Sequence, residues 1–481
     1  MAERALNRRS VVIVGAGISG LATAYWLSKK GVNVKVLEKE NRVGGVIQSE
    51  STNGYIFEYG PNSLLDISPR IGEMLADVGI SAQVVKAYEQ AIRRYVVRNG
   101  QLCEVPVHPI KLFQTPLFSW KAKVRILKEP FVDGRLDESE ESVADFVRRR
   151  LGQEFLDYAI DPFVAGVYAG DAEHLSLQAA FPKLHQLEKE YGSLIKGAIL
   201  GRKRRIQRQE VAKDRASMIN FQGGMETLSK GLAKFLGERL QTRCFVQAIT
   251  FKNGTFQLKL TGIHDSILSA PAVVLTTPTH VISDLIRLLH PATAQILDRV
   301  RYAPVAMVMM SFSKASIPNP VKGFGFLVPK VENRKILGTL WNSATFSGRA
   351  PEDQVLLTTF MGGMRQPELV ELEEESLKRL VLNELAELMG IQNEPNVVRI
   401  RKWPRAIPQY AVGHLAIIKD LEEFETKFPG IFIGGNFRGG ISVGDCIVSA
   451  RKNAERIFRY LQQLSPVDNP KLSRQIETYK C

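Results

Sequence analysis

The sequence predicts an α/β protein in which a parallel-sheet domain is joined to a mixed-sheet domain and interrupted by an α-helical block. Three observations lead there. A β-branched run near the start ends in a glycine-rich turn, then passes into a helix and a second strand. Residues from about 113 to 215 change to helical periodicity. Strand-like runs fill about 297 to 415, and a second glycine-rich loop, IFIGGNFRGG, follows them. Length agrees, since 481 residues exceed what one hydrophobic core ordinarily serves.

The first element is VVIVGAGISGLATAYWLSKKGVNVKVLEKE, Val11–Glu40. Val11–Val14 has the composition of a buried parallel strand. Gly15, Gly17 and Gly20 form GxGxxG at its end. Leu21–Lys30 reads as a helix ended by Gly31, and Val32–Leu37 as a second strand closed by Glu38. Each part has a task. Gly15 makes the tight turn, Gly17 admits a pyrophosphate, and Gly20 lets helix and sheet approach. The helix N-terminus offers N–H groups and a positive dipole end to phosphate, and Glu38 accepts hydrogen bonds from a ribose. Glycines alone are weak evidence. Strand, helix, strand and acid in this order predict a Rossmann-like dinucleotide site. The continuation NRVGGVIQSE adds Arg42 and the pair Gly44–Gly45. That pair resembles the extended fingerprint of FAD enzymes in the amine-oxidase superfamily, with a plain surface turn as the alternative. No second complete GxGxxG follows, so no separate NADPH site is expected.

Later elements follow in order. Phe57–Leu64, FEYGPNSL, reads as a loop lining the cofactor and includes Gly60. Ala91–Val107 reads as a strand pair around Asn99-Gly100. Ser142 caps a helical run through FVAGVY. Phe221–Phe235 is a glycine turn and helix, strands flank Asn253-Gly254, and AVVLTTP returns to the first domain. The helix starting near Asp445 aims its positive end back at the cofactor. The resulting division is 9–88, 216–296 and 416–465 for the cofactor domain, 89–112 and 297–415 for the substrate domain, and 113–215 for the helical insertion.

Composition excludes several classes. No apolar run reaches the roughly eighteen residues of a spanning helix. The N-terminus MAERALNRRS has neither an apolar signal core nor a long transit segment, so a cytoplasmic start is expected. Cys103, Cys244, Cys446 and Cys481 are scattered, with no CxxC and no histidine at metal spacing; a reducing compartment and no metal are expected. Part of the net charge of +14 sits in Arg202–Arg205 with Arg208 nearby. That run is a solvated loop, or a contact for an acidic membrane surface or a dianionic substrate. No nucleic-acid motif accompanies it.

One family resemblance then stands out. Phe163–Leu184, FVAGVYAGDAEHLSLQAAFPKL, together with FQGGMETL, LTTPTHV, GFGFLVP, ILGTLWNSATF, FMGGMR, WPRAIPQYAVGHL and GGNFRGGISVGDCI, resembles the oxygen-dependent protoporphyrinogen oxidases, in order and over nearly the whole chain. The resemblance is to a bacterial or cyanobacterial member. It implies a p-hydroxybenzoate hydroxylase-like FAD domain, a mixed-sheet substrate domain and a helical membrane-binding insertion. It also implies oxidation of protoporphyrinogen IX to protoporphyrin IX, with six electrons leaving in three flavin cycles and oxygen reduced to peroxide. Hydride passes to flavin N5 and pyrrole protons leave to solvent, so no catalytic side chain is named. The protein positions, and the cofactor does the chemistry.

By the same resemblance Arg94 partners a propionate, with a surface strand arginine as the alternative. Gly166 is a close backbone approach to substrate, and Phe324, Leu327, Trp341 and Phe360 are pocket walls; for all of these, ordinary packing is the alternative. Non-covalent FAD is held by Gly15, Gly17, Gly20, Glu38, Arg42, Gly44, Gly45 and Gly60. Val246 meets the adenine, Trp403 flanks the flavin, and Ile441, Ser442 and Val443 contact its ring. Cys446 raises a covalent thioether, against which the resemblance argues. Lys111–Leu127 mixes apolar residues with Lys121, Lys123 and Arg125 and reads as a bilayer-facing segment or a packed helix. A peripheral membrane location, a homodimer and handover to a chelatase complete the implied partners. Rival readings are coproporphyrinogen III oxidation, an amine oxidase or carotene desaturase, and a non-catalytic tetrapyrrole-binding flavoprotein.

Overall fold

The strand Ser10–Val14 lies at the centre of a five-stranded, wholly parallel sheet. Its order is Leu240–Gln241, Asn33–Leu37, Ser10–Val14, Ala272–Leu275, Ile431–Ile433. The computed structural model describes residues 2–5, 10–106, 109–135, 139–200, 216–262, 266–319 and 321–464. Alternation sends Val11 and Ile13 into one core and Val12 and Val14 into another. Burial on both faces is why the run is continuously apolar. Helices Ile18–Lys29, Glu226–Leu236 and Val443–Gln463 cover the first face. The second is covered by a four-stranded sheet containing Cys244–Lys252 and Thr255–Gly262, and by helices Thr279–Ile286, Pro291–Asp298 and His414–Lys427.

The Asn-Gly pairs at 99–100 and 253–254 close two-residue hairpins, as Asn53-Gly54 does between Thr52 and Tyr55. Arg98 pairs with Gln101 across Asn99 and Gly100, and Lys252 with Thr255 across Asn253 and Gly254, with φ between +50° and +74° at all four turn residues. Asparagine and glycine tolerate that left-handed backbone, which matches the twist of the flanking strands. The Asn99-Gly100 hairpin forms one edge of a seven-stranded mixed sheet. Its order is Val397–Pro408, Tyr302–Ser313, Gln354–Gly362, Gly338–Trp341, Gly325–Leu327, Tyr95–Arg98, Gln101–Glu104. Only the step from Tyr95–Arg98 to Gly325–Leu327 is parallel. Helix Glu374–Met389 packs on one face of this sheet. The structure is thus a mixed α/β fold of several sheets.

Between the hairpin and the return to the parallel sheet, the described residues from 109 to 200 are helical. The stretch after Ser142 does not run as one helix. Ser142 caps Val143–Arg150, accepting from Asp145 N at 3.0 Å, but Gly152 adopts φ +92° and breaks the line. A π-helical turn, Leu156–Ile160, then leads into helix Asp161–Tyr168. Lys111–Leu127 is likewise two short helices, Pro109–Gln114 and Trp120–Leu127. Lys123 and Arg125 turn inward there. The Lys123 ammonium donates to Phe113 O at 2.9 Å and Thr115 O at 2.8 Å, and Arg125 donates to Arg149 O. Buried chain ends need donors for their carbonyls, and a lysine supplies three. The arginine run 202–205 and Cys481 fall outside the described residues. Among those described, no helix is long and apolar enough to cross a membrane.

A buried charge cluster holds the helices together. Arg150 and Glu129 are both fully buried and meet at 3.0 Å, and Arg150 also pairs with Glu188. Glu129 further accepts from Ser193 Oγ, Leu194 N and Ile195 N, capping helix Leu194–Leu200. Removing one member of such a set strands the others without partners. Glu129→Ala is expected to cost about 3–5 kcal/mol, read as an earlier thermal transition. An unchanged transition would show that the cluster does not hold the helices.

Candidate active site

The nucleotide cradle is built where strand Ser10–Val14 turns into helix Ile18–Lys29. Gly15 takes φ +102°, closed to most side chains, and its N–H bonds Leu37 O at 2.8 Å. A Cβ at Gly20 would overlap the Gly15 carbonyl oxygen, so only glycine lets the helix sit this close. Gly17, the N-cap, has nothing within 4 Å of where its Cβ would be, and no side chain caps the helix. Open space therefore faces the helix's free N–H groups, as an anionic group requires.

The Glu38 carboxylate lies beside that loop and accepts from Ala16 N at 2.7 Å. Gly44 donates to Ala16 O and bridges Gly17, while Gly17 Cα is the nearest neighbour to the Cβ side of Gly45. Arg42 donates to Gly45 O at 2.7 Å, fixing this second turn. A Cβ at Gly60 would overlap Val46 O, one residue beyond the glycine pair. Cys244 N bonds Glu38 O, and Val246 packs in the core with Val14 and Leu37. The structure thus brings Gly15, Gly17, Gly20, Glu38, Arg42, Gly44, Gly45, Gly60 and Val246 to one end of the parallel sheet.

The chain's tail closes on the same place. Helix Val443–Gln463 starts at Ser442, whose Oγ accepts from Asp445 N at 3.1 Å. The helix thus begins at Val443, two residues before the expected Asp445. Val443, Cys446 and Ile447 share a core with Ile18, Leu21 and Ala22, so two helix N-termini come together. A dinucleotide with an anionic middle and an electron-rich ring fits this arrangement: open space at Gly17, and positive helix ends at Ile18 and Val443. The Thr277 hydroxyl, buried beside Gly15, has no partner among the described residues. Burial pushes the Cys446 thiol up to about 12. A protonated, buried thiol is inert, which suits non-covalent binding.

Beyond the cradle, the seven-stranded sheet presents a face toward helix Asp161–Tyr168. That helix is clamped at both ends. Asp161 forms a buried ion pair with Arg365 at 2.7 Å and accepts from Lys330 N. At the other end Ala169 O accepts from Met364 N at 2.7 Å, and the approach is so close that a Cβ at Gly363 would lie 2.5 Å from that oxygen. Gly166 is thereby set on Leu327, whose Cδ2 would lie 2.6 Å from a Cβ there. Phe360 and Trp403 pack with Ala165, Met307 and Leu337, and the Trp403 indole donates to Tyr59 O at 2.6 Å, next to Gly60. The Arg94 guanidinium lies 5.6 Å from the Phe324 ring. It is solvent-accessible, yet enough protein mass surrounds it that desolvation holds its pKa below the usual range. Arg94 has no carboxylate partner among the described residues.

Trp341 requires a correction. Gly338 pairs with Phe360 and Trp341 with Leu357, three residues further along each strand. An odd separation reverses the face. Trp341 is buried on the far side, edge-on to Phe326 at 6.2 Å and tilted on Tyr95, in the core with Leu377 and Val381. Half-buried Leu340 has the parity of Gly338 and Phe360 instead.

Two groups were missed in the sequence. Tyr410 bonds the glycine loop of the tail. Glu58 is a buried carboxylate two residues before Gly60. It accepts from Ser49 Oγ at 2.5 Å, Met225 N at 2.8 Å and Asn220 Nδ2 at 3.1 Å, with Arg349 Nη1 at 3.7 Å. The available signal was a lone acid after the apolar run Tyr55–Phe57.

Comparison with known proteins follows the geometry. The description of flavin-containing amine oxidoreductases matches residues 18–458. Protoporphyrinogen oxidase 2, chloroplastic/mitochondrial, of Arabidopsis thaliana is 34% identical, with 97% of each chain covered. Coproporphyrinogen III oxidase of Bacillus subtilis (strain 168) is 28% identical, covering 95% of this chain and 99% of the relative. A crystal structure from Exiguobacterium sp. 255-15, provisionally named a protoporphyrinogen oxidase, superposes with TM-score 0.78 at 26% identity, covering 95% of this chain and 100% of that one.

Burial raises the Glu58 carboxyl to about 7, against the opposing pull of its three donors and Arg349. The folded protein thus holds this proton more tightly than the unfolded chain does. Its contribution to stability is full below the ordinary carboxylate range and is lost as pH rises through about 7. Glu58→Gln, which stays neutral, is expected to flatten that part of the curve of thermal midpoint against pH. A slope equal to the wild type's would overturn the assignment.

Proposed function

This chain belongs to the flavin-containing amine oxidoreductase family, and within it we propose that it oxidises protoporphyrinogen IX to protoporphyrin IX, with oxygen as final acceptor and hydrogen peroxide formed. FAD, when bound, supplies the acceptor for the electrons that leave the substrate. Gly15, Gly17, Gly20, Gly44, Gly45 and Gly60 leave backbone room for it, and Arg42 holds the Gly44–Gly45 turn in shape. Glu38 takes the ribose, Val246 borders the adenine, and Ile441, Ser442 and Val443 lie with Trp403 along the flavin.

One observation carries the substrate reading: a cation, Arg94, stands without a carboxylate partner among the described residues, beside an apolar wall. A flat, greasy macrocycle with acid arms satisfies both features, a propionate on the guanidinium and rings against Phe324, Leu327 and Phe360. Gly166 sets the depth of the slot, and the apolar lining excludes water from the reacting carbon. Pyrrole N–H protons leave to solvent, so these residues position the substrate and none acts as a strong base. Arg98, on the same hairpin, is already committed to Glu154 at 2.8 Å. A single anchor suits a substrate with two propionates better than coproporphyrinogen, which has four. Anaerobic mixing decides the matter. Protoporphyrinogen is expected to bleach the flavin faster than coproporphyrinogen, and bleaching by amines alone would overturn the reading. Arg94→Ala is expected to raise KM about tenfold or more and to leave kcat nearly unchanged; an unchanged KM would remove the anchor.

A membrane surface is the proposed location. Trp120, Val124, Leu127 and Phe131 recur at helical spacing, with Trp120 70% and Phe131 85% exposed. Exposed Lys121 and Lys128 lie beside them, as on an interfacial helix. Homodimerisation and product handover to a chelatase rest on family resemblance alone. Trp120→Glu combined with Phe131→Glu is expected to abolish cosedimentation with anionic lipid vesicles at unchanged flavin content. Undiminished cosedimentation would sink the membrane assignment.

A further inference from the structure

Around Phe437, which is fully buried, and Arg438, which pairs with Glu425 at 2.8 Å, the loop of the tail is rich in glycine. Gly435, Gly439 and Gly440 all take positive φ, and a glycine-rich segment is costly to order. A buried side chain on a different segment adds to that hold. Tyr410, 3% exposed, donates its hydroxyl hydrogen to Asn436 O at 2.8 Å and accepts from Gly440 N at 3.0 Å. One phenolic oxygen thus pins the loop at two points four residues apart. The ring is fixed in turn. It stacks on His414 at 4.4 Å and 10°, and Tyr168 meets it edge-on at 5.9 Å. Burial lowers the His414 pKa, and its Nε2 bonds Phe437 O at 2.9 Å, a third point on the same loop.

Tyr410 also reaches the other wall. Its own carbonyl accepts from Ser176 N at 2.8 Å, and Gln409 Nε2 donates to Tyr168 O at 2.8 Å. Tyr168 belongs to the helix that carries Gly166. Ile441 packs in the same core as Tyr410, Tyr168 and Val164. Burial keeps the phenol protonated, so it remains a donor throughout the working pH range.

We propose that Tyr410 is a positioning residue: its hydroxyl sets the height of Gly439–Val443 against the flavin and ties that height to the helix bearing Gly166. The proposal rests on the reading that Ile441–Val443 lie along the flavin. Without the hydroxyl, Gly440 N loses its acceptor and Asn436 O its donor, while the ring stack survives. The loop then relaxes relative to both cofactor and substrate wall. Misplacement at a reacting centre costs rate rather than ground-state binding.

The test compares Tyr410→Phe with the wild-type holoenzyme. The variant is expected to fold and keep FAD, but to shift the visible flavin bands and midpoint potential. It is also expected to lose about tenfold or more in kcat with KM within about twofold. Tyr168→Phe serves as control, since that hydroxyl bonds Ala180 O and not the loop; its flavin bands should match wild type. Unaltered bands, potential and kcat in Tyr410→Phe would overturn the proposal. An equal shift in Tyr168→Phe would overturn it too, by showing that any hydroxyl lost from this cluster has the same effect. If wild type fails to oxidise protoporphyrinogen while Tyr410→Phe still shifts the bands, the substrate reading falls and the positioning role stands.

Discussion

The contact between the first helix and the last is the constraint on which the rest depends. Val443, Cys446, Ile447, Ala450, Ala454, Ile457 and Leu461 form one apolar stripe along Val443–Gln463, and share a core with Ile18, Leu21, Ala22 and Tyr25. These residues lie at opposite ends of the chain. Only when they pack do two positive helix ends face one region, and only then does the tail's glycine loop have a fixed place. The parallel sheet records the same event, because Ile431–Ile433 enters beside Ala272–Leu275. The cofactor site is a product of tertiary closure more than of any local motif.

A second layer of positioning depends on backbone approach. The missing side chain at Gly363 makes room for the Ala169 carbonyl, which accepts from Met364 N, and Asp161 meets Arg365 in a buried pair. The short helix between those points is thereby fixed to the seven-stranded sheet, although it belongs in sequence to the helical insertion. The Trp403 indole makes a comparable link, reaching from the edge strand Val397–Pro408 to Tyr59 beside the cradle. The seven-stranded sheet and the glycine turns beside Ser10–Val14 therefore share rigid parts.

Much of this was legible in the residues. The separate tasks of Gly15, Gly17 and Gly20 follow from spacing, and the Asn-Gly hairpins from turn chemistry. What was not legible depends on which way a side chain points. Motif matching placed Trp341 among the pocket walls but could not give its face, because parity is counted from a partner strand that the sequence does not identify. Lys123 read as a surface cation for the same reason. The helical stretch after Ser142 looked unbroken because one glycine at position 152 leaves the apolar pattern nearly intact. Glu58 and Tyr410 were hidden because a buried polar group is defined by distant partners, here Asn220, Arg349 and the 436–440 loop.

The Cys446 thiol turns the head-to-tail contact into something that can be timed. Among the described cysteines, Cys103 is partly accessible while Cys244 and Cys446 are buried, and Cys446 alone lies between the first and last helices. An alkylating reagent could reach it only when those helices part. The rate of its capture, with and without nucleotide, would therefore report how often the molecule unclasps and how firmly the cofactor holds it shut.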